Sequence, residues 1–309
     1  MERDRIVNYV VSALQLSMLL EVSGYPKPGN IDRFHDFKKT TYENFLGSIA
    51  CLGGYWRKAA EVGYDSKIRA QVGQIIYGAS IEVLRWQTNG NTSFGTILLL
   101  TPLAIAAGSL FKKMDFDKDE LKRILEEVIN ATTPRDAVNV YKAIGTIKPG
   151  GLGSTPQLDV KDKRSIAMIK RKTINLKDVF QIASKYDSIS KEWCTGFSIT
   201  FEIGYPHFIR TFQETKSVNT ATVHTFLRIL SEIPDTLITR KKGEQKATAI
   251  TNKAKKILKA GGLSTEEGRR YIEQFDKTLR REDNSLNPGT TADLTCSSIA
   301  VAVLSGFRP

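Results

Sequence analysis

With 309 residues and an apolar share of 41%, the chain can bury a substantial core as one large domain or two ordinary ones. Its three cysteines, Cys51, Cys194 and Cys296, are far apart and in no Cys-x-x-Cys pairing, and none of its three histidines, His35, His207 and His224, sits at i, i+4 spacing. That pattern speaks against a disulfide framework, a zinc site or a His-based metal centre. The formal net charge of +12 favours an anionic partner such as nucleic acid, nucleotide or coenzyme.

In chain order, apolar residues at Ile6, Val10, Leu14 and Met18 predict an amphipathic helix over residues 2–22. It cannot continue through Tyr25-Pro26-Lys27-Pro28, because each proline fixes its own φ and pushes the residue before it towards extended backbone. Gly29 then lets the chain turn, and Lys27, Asn30, Asp32, Arg33 and His35 follow on a restrained loop. Cations for phosphate, a carboxylate for a metal and a histidine for proton handling suit a polyanion with a metal ion. Thr40 with Glu43 reads as a capping box for a helix that Gly63 closes. Asp65 or Ser66 is then expected to cap another, buried along Ile68, Val72, Ile76 and Val83.

A polar turn, residues 88–95, enters Thr96–Leu110, the longest apolar run, which predicts a central helix kinked or interrupted at Pro102. The turn lies at a helix N-terminus, a natural shelf for phosphate, with ordinary capping by Asn91 or Thr92 as the alternative. Further helices are expected over 121–128 and, with Thr133 as cap, Pro134 at N1 and Asp136 at N3, over 134–144. Lys148-Pro149-Gly150-Gly151-Leu152-Gly153 forms a second strong loop. Asn175 caps a helix to Tyr186, and Ile189, Trp193, Phe197 and Phe201 mark one longer helix that also carries Glu192 and Glu202. Residues 219–231 form a helix, 234–243 a third polar connection, and 247–258 another helix, followed by one capped by Ser264 with Glu267. A fourth loop, Asn284 to Leu294, enters a closing apolar helix and repeats the arrangement of the second polar turn.

No alternation strong enough for a sheet is present, so the expected fold is all-α, a single multi-helix domain over residues 1–309. Its polar loops are expected to converge on one pocket. The apolar run Thr96–Leu110 falls short of the roughly 20 residues a bilayer span requires, and the N-terminus lacks a signal-peptide pattern. A cytoplasmic protein without membrane partners is expected. The basic stretches 161–177, 240–259 and 269–281 are interleaved with acids and lack stacking aromatics, which disfavours nucleic acid as partner.

The ordered motifs Tyr-Pro-Lys-Pro-Gly-Asn-Ile-Asp-Arg at 25–33, Asn-Thr-Ser-Phe-Gly at 91–95, Pro-Gly-Gly-Leu-Gly at 149–153 and Asn-Pro-Gly-Thr-Thr-Ala-Asp-Leu at 287–294 resemble those of the triphosphoribosyl-dephospho-CoA synthase family. The likeness runs nearly the whole length. It implies an all-helical pentosyltransferase that joins the triphosphoribosyl part of ATP to the 2'-hydroxyl of 3'-dephospho-CoA and releases adenine. Such chemistry passes through an oxocarbenium-like transition state that carboxylates can stabilise, with magnesium on the triphosphate. The resemblance implies Asp32, Asp293 and His35 as catalytic candidates and Asp32, Asp293 and Asp235 as metal ligands. Lys27, Arg33, Asn91, Thr92, Gly95, Arg240, Asn287 and Thr290 are the implied nucleotide-binding residues. Three departures, Phe34-His35-Asp36 after Asp32-Arg33, Ser93-Phe94 inside the Asn-Thr motif and Lys241-Lys242-Gly243 in the third connection, mark a divergent, archaeal-type member. The alternatives are ribosyl phosphate transfer to another hydroxyl, such as that of a methanopterin-type precursor, and a basic helical nucleic-acid-binding protein.

Overall fold

A computed structural model describes residues 1–66, 71–87, 92–152, 155, 157–280 and 284–309. The chain runs through α1 (Glu2–Ser23), α2 (Tyr42–Tyr64), α3 (Val72–Trp86), α4 (Phe94–Lys113), α5 (Lys118–Asn130), α6 (Pro134–Ile147), α7 (Lys163–Arg171) and α8 (Leu176–Ala183). It continues through α9 (Ser188–Thr195), a π-helical turn (Ile199–Gly204), α10 (Tyr205–Thr215), α11 (Val218–Glu232), α12 (Thr236–Lys242), α13 (Glu244–Lys259), α14 (Glu266–Arg280) and α15 (Gly289–Leu304). Among the described residues the β features are isolated bridges inside the 32–40 loop. The expected all-α class is observed.

The core is built around α4, which packs against α1, α2, α3, α5 and α15. Residues Thr96 to Ala107 are all buried, as an all-round apolar run requires. Of the two expected effects of Pro102, interruption does not occur: α4 runs unbroken through it. A helix-interior proline costs about 3 kcal/mol, whereas each fully buried Ile or Leu contributes ~1.5–3 kcal/mol, and Ile97, Leu99, Leu100, Leu103 and Ile105 are all buried here. The Leu98 carbonyl, which loses its i+4 amide at Pro102, instead accepts a hydrogen bond from Trp193 Nε1 at 3.2 Å. The polar group freed by proline therefore has a partner on another helix.

Several local expectations shift. The cap of α2 is Thr41, whose amide donates to Asn44 Oδ1 at 2.9 Å, one residue beyond the expected pair. Ser66 has left-handed backbone and α3 starts at Val72, while residues 67–70 lie outside the described set. The single helix expected from Ser188 is broken at Gly196 and Phe197, both left-handed, and restarts as the π-helical turn. The connection 234–243 contains α12, capped by Asp235. Thr265 rather than Ser264 accepts from the first-turn amide of α14, at Gly268. Thr133 with Asp136 and Asn175 with Asp178 form the capping boxes read from sequence, although Asn175's helix stops at Ala183. The α4 helix, at 20 residues, is long and apolar enough to cross a membrane, as is α1; here α4 is enclosed by protein.

A second, smaller apolar cluster joins α11, α12, α13 and α14 through Leu227, Leu230, Ile250, Ile257, Ile272 and Phe275. Its outer helix reaches the 24–41 loop and fixes it. Asp276 on α14 accepts from the Gly29 amide at 2.8 Å, and Arg280 Nη2 donates to the Asn30 carbonyl at 2.5 Å. On α11, Asn219 brackets Tyr25, accepting from its amide at 2.8 Å and donating to its carbonyl at 2.5 Å.

Candidate active site

The loop after α1 is organised from inside. Lys27 is fully buried, and its amine donates to the Glu21 carbonyl at 3.0 Å and contacts Glu21 Oε1. Glu21 falls on the buried stripe of α1, three residues after Met18. Burial raises its carboxyl above the usual range, and the Lys27 charge pulls it back. Asp32, also fully buried, accepts from the Lys27 amide at 3.2 Å, the Phe34 amide at 3.0 Å and His35 Nδ1 at 3.1 Å, with Arg280 Nη2 at 3.5 Å. These bonds make Asp32 the hub that holds the turn.

A cavity of about 810 Å³ opens beside this loop, lined by residues of α1, the 30–45 loop, α4, α6, the 148–160 segment, α8, α12 and α15. The polar loops thus converge as expected. Its carboxylates include Glu21 from α1 and Asp293 from α15. Asp293 Oδ1 accepts from the Thr96 hydroxyl at 2.6 Å in the first turn of α4. Gly95 lies so close that a Cβ there would stand 2.1 Å from Asp293 Oδ2, so only glycine leaves the carboxylate its position. Burial drives the Asp293 carboxyl up to about 7, the negative charges of Glu21 and Asp235 add to the rise, and the Thr96 hydrogen bonds oppose it. A carboxyl poised near neutral pH in a cavity is suited to exchanging protons. Asn30 Nδ2 donates to Asn287 Oδ1 at 2.7 Å, and Thr236 to Thr290 Oγ1 at 3.2 Å, which ties the loop and α12 to the entrance of α15.

The profile of the CitG family, described as ATP:dephospho-CoA triphosphoribosyl transferase, matches residues 8–308. The chain belongs to this family. It is 30% identical over 121 residues to a Pseudomonas fluorescens Pf-5 protein named probable 2-(5''-triphosphoribosyl)-3'-dephosphocoenzyme-A synthase, which covers 38% of this chain and 41% of that one. The chain therefore aligns with about two fifths of that relative's length. With the Klebsiella pneumoniae 2-(5''-triphosphoribosyl)-3'-dephosphocoenzyme-A synthase it is 24% identical over 296 residues, 92% of this chain and 87% of the other. A crystal structure from Archaeoglobus fulgidus, provisionally titled as a triphosphoribosyl-dephospho-CoA synthase, superposes with a TM-score of 0.62 at 27% identity, covering 85% of this chain and 100% of that one.

Set on this CitG-family fold, the candidates read from sequence divide. Thr92, Gly95, Arg240, Asn287, Thr290 and Asp293 line the cavity. Asn91 lies outside the described residues. Lys27, Asp32, Arg33, His35 and Asp235 do not line it, and the structure gives each other work. Lys27 is the buried counter-ion of Glu21, and Asp32 is the loop hub. Arg33 is exposed and donates to the Ser23 carbonyl at 2.6 Å and Asn219 Oδ1 at 3.3 Å. His35 stacks on Tyr25 and lines a separate cleft with Arg269, Lys277 and Arg280. Asp235 accepts four hydrogen bonds, from the amides of Leu237, Ile238 and Thr291 and the hydroxyl of Thr291, and so fastens α12 to α15.

Asp32, Asp235 and Asp293 therefore do not form a shared metal site: among the described residues no three His, Cys, Asp or Glu side chains gather to hold an ion. Magnesium is held by one or two carboxylates together with substrate phosphates, and Glu21 is a cavity-lining carboxylate of that kind. Lys27 takes its Oε1 and leaves Oε2 without a hydrogen-bond partner among the described residues. Burial raises both carboxyls, and Asp293, up to about 7, is the one suited to exchanging a proton. Glu21 is the residue sequence reasoning missed. The signal was there, an acid in phase with Leu14 and Met18 on an apolar stripe.

Proposed function

We propose that this chain transfers the triphosphoribosyl group of ATP to the 2'-hydroxyl of 3'-dephospho-CoA and releases adenine. The observation that carries the reading, beyond family membership, is Asp293: a buried carboxyl near pKa 7 facing a cavity large enough for a nucleotide. The reaction breaks the glycosidic bond between ribose C1' of ATP and adenine N9 and forms one between that C1' and the acceptor oxygen. The acceptor hydroxyl loses a proton and adenine leaves with one, so the chemistry is proton-neutral overall. Asp293 in its ionised form takes the hydroxyl proton, and its neutral form can return one to the departing base. The Glu21 carboxylate, held by Lys27, faces positive charge that develops on the ribose.

The first turns of α4 and α15 present backbone amides and Thr96 and Thr290 to the cavity, a shelf for phosphate oxygens. Magnesium would be held by Glu21 with those oxygens and would neutralise phosphate charge when bound. The reading is cytoplasmic and requires neither membrane nor nucleic acid. The test is chromatography of adenine released from ATP and magnesium, with and without 3'-dephospho-CoA, for wild type and Asp293→Asn. Release that depends on the acceptor and on Asp293 is expected. ATP bound without release under dephospho-CoA, but released with another acceptor alcohol, would replace the acceptor. No release with any of them would end the transferase reading.

A further inference from the structure

We propose that Lys148, Arg240 and Lys241, gathered at the Gly150–Gly151 turn, form a polyphosphate-binding subsite of the cavity. The proposal deepens the transferase reading and rests on it only for the source of the phosphates. All three side chains line the cavity, with Gly150 and Gly151 between them. The chain reverses at the end of α6 through Lys148, which is left-handed at φ 50°, and again at Gly151, at φ 73°. A Cβ on Gly151 would stand 3.3 Å from Arg240 Cβ and 3.4 Å from Lys241 Cγ, so the turn rests directly on the last turn of α12. Two segments far apart in sequence thus bring their cations to one wall.

Acids lie close to this wall, Asp187 against Arg240 and the buried Asp235 near enough for its charge to act on Lys241, but they do not take every donor there. Arg240 Nη1 donates to Asp187 at 2.8 Å, which fixes the guanidinium, but its Nε is buried and has no hydrogen-bond partner among the described residues. Lys241 makes no hydrogen bond or ion pair among the described residues, and burial depresses its amine below the ordinary lysine value. The other cavity-lining carboxylate on this side, Asp159, accepts from the Thr155 amide at 3.0 Å and the Lys161 amide at 2.8 Å. One cation is therefore paired while two amines and one buried N–H remain. Guanidinium and ammonium groups beside a glycine turn match the oxygens of a diphosphate or triphosphate. The same wall carries Tyr141, Tyr186 and Leu237, against which the organic part of a nucleotide or coenzyme can lie.

Titration calorimetry with inorganic triphosphate on the full chain tests the site without catalysis. Lys241→Ala and Lys148→Ala are each expected to weaken binding about tenfold, the loss of one charge-assisted contact. Lys253→Ala, which removes the same charge from exposed α13, is expected to leave it unchanged. Equal weakening by Lys253→Ala, unaltered affinity in Lys241→Ala and Lys148→Ala, or no binding by wild type would each overturn the proposal. Parallel titrations with ATP and with 3'-dephospho-CoA identify the source: the substrate whose affinity falls in the two lysine variants is the one whose phosphates the subsite holds. Triphosphate binding lost in these variants from a protein that releases no adenine would keep the subsite and remove the transferase reading.

Discussion

Replacing Asp293 by Asn separates a proton-handling carboxyl from a helix cap. A carboxyl moved from 3.8 to about 7 disfavours its ionised form by ~4 kcal/mol. The sign follows from proton counting. Between pH 4 and 7 the unfolded chain has this carboxyl ionised while the folded protein keeps it protonated. The folded state binds more protons, so the group's contribution to stability falls as pH rises through that window, and the full cost applies above pH 7. Asparagine does not titrate, and its carbonyl can still accept from Thr96. In metal-free, nucleotide-free protein, Asp293→Asn should therefore match wild type near pH 4.5 and exceed it at pH 8. The gain should be ~2–4 kcal/mol, or roughly 3–6 °C in Tm for a domain this large. Thermal unfolding monitored by circular dichroism at the two pH values measures it, and adenine release should fall by about 10²–10⁴-fold in the same variant. A Tm lowered equally at both pH values would refute the reasoning, since the carboxylate would then be ionised throughout and act only as a cap for α4.

Other substitutions probe the supports of the site. Lys27→Met leaves Glu21 buried without its counter-ion and should cost ~3–5 kcal/mol by denaturant unfolding; adding Glu21→Gln should recover most of that, and an unrecovered loss would mean the packing of Lys27 matters more than its charge. Gly95→Ala drives a methyl into Asp293 Oδ2. Displacing the carboxylate by an ångström should lower adenine release by about 10²-fold, and wild-type turnover in this variant would show that the position of Asp293 is unimportant. Trp193→Phe strips the donor from the Leu98 carbonyl next to Pro102. A loss of ~1–3 kcal/mol is expected for the orphaned carbonyl, with adenine release per folded molecule unchanged.

Much of the helical order was legible because it depends on local signals. The stripe on α1, the all-round apolar α4, and the boxes at Thr133–Asp136 and Asn175–Asp178 each lie within a few residues. What was not legible depends on long-range partners. Nothing near Pro102 announces that Trp193 will satisfy Leu98 and keep α4 continuous. The break at Gly196 and Phe197 overrides an aromatic stripe with good helical spacing, because both residues adopt left-handed backbone. For the site, the motif ends nearest the buried helices, Thr92, Gly95, Asn287, Thr290 and Asp293, were placed by sequence at the cavity, where the structure has them. The proline-rich stretch misled in a specific way: its charged residues look like ligand groups in sequence, but Lys27 and Asp32 turn inward to hold the loop.

Buried acids are what make the site hard to find, since the fold uses several. Asp136 accepts from the Gly73 amide, Asp276 from the Gly29 amide, and Asp235 from Thr291, each stitching a segment to a helix remote in sequence. A raised pKa is not unique to the catalytic candidate either. Glu192 is fully buried and pushed to about 7, as Asp293 is. Its oxygens, however, are taken by the Ile199 and Thr200 amides and the Thr200 hydroxyl, where the π-helical turn begins, and it does not line the cavity. The distinction is therefore what the carboxyl faces. Glu192 meets only protein donors, so its protonation changes the fold's own hydrogen bonds. Asp293 has a cavity on one side and Glu21 as a neighbouring charge, so its protonation can be coupled to a bound substrate.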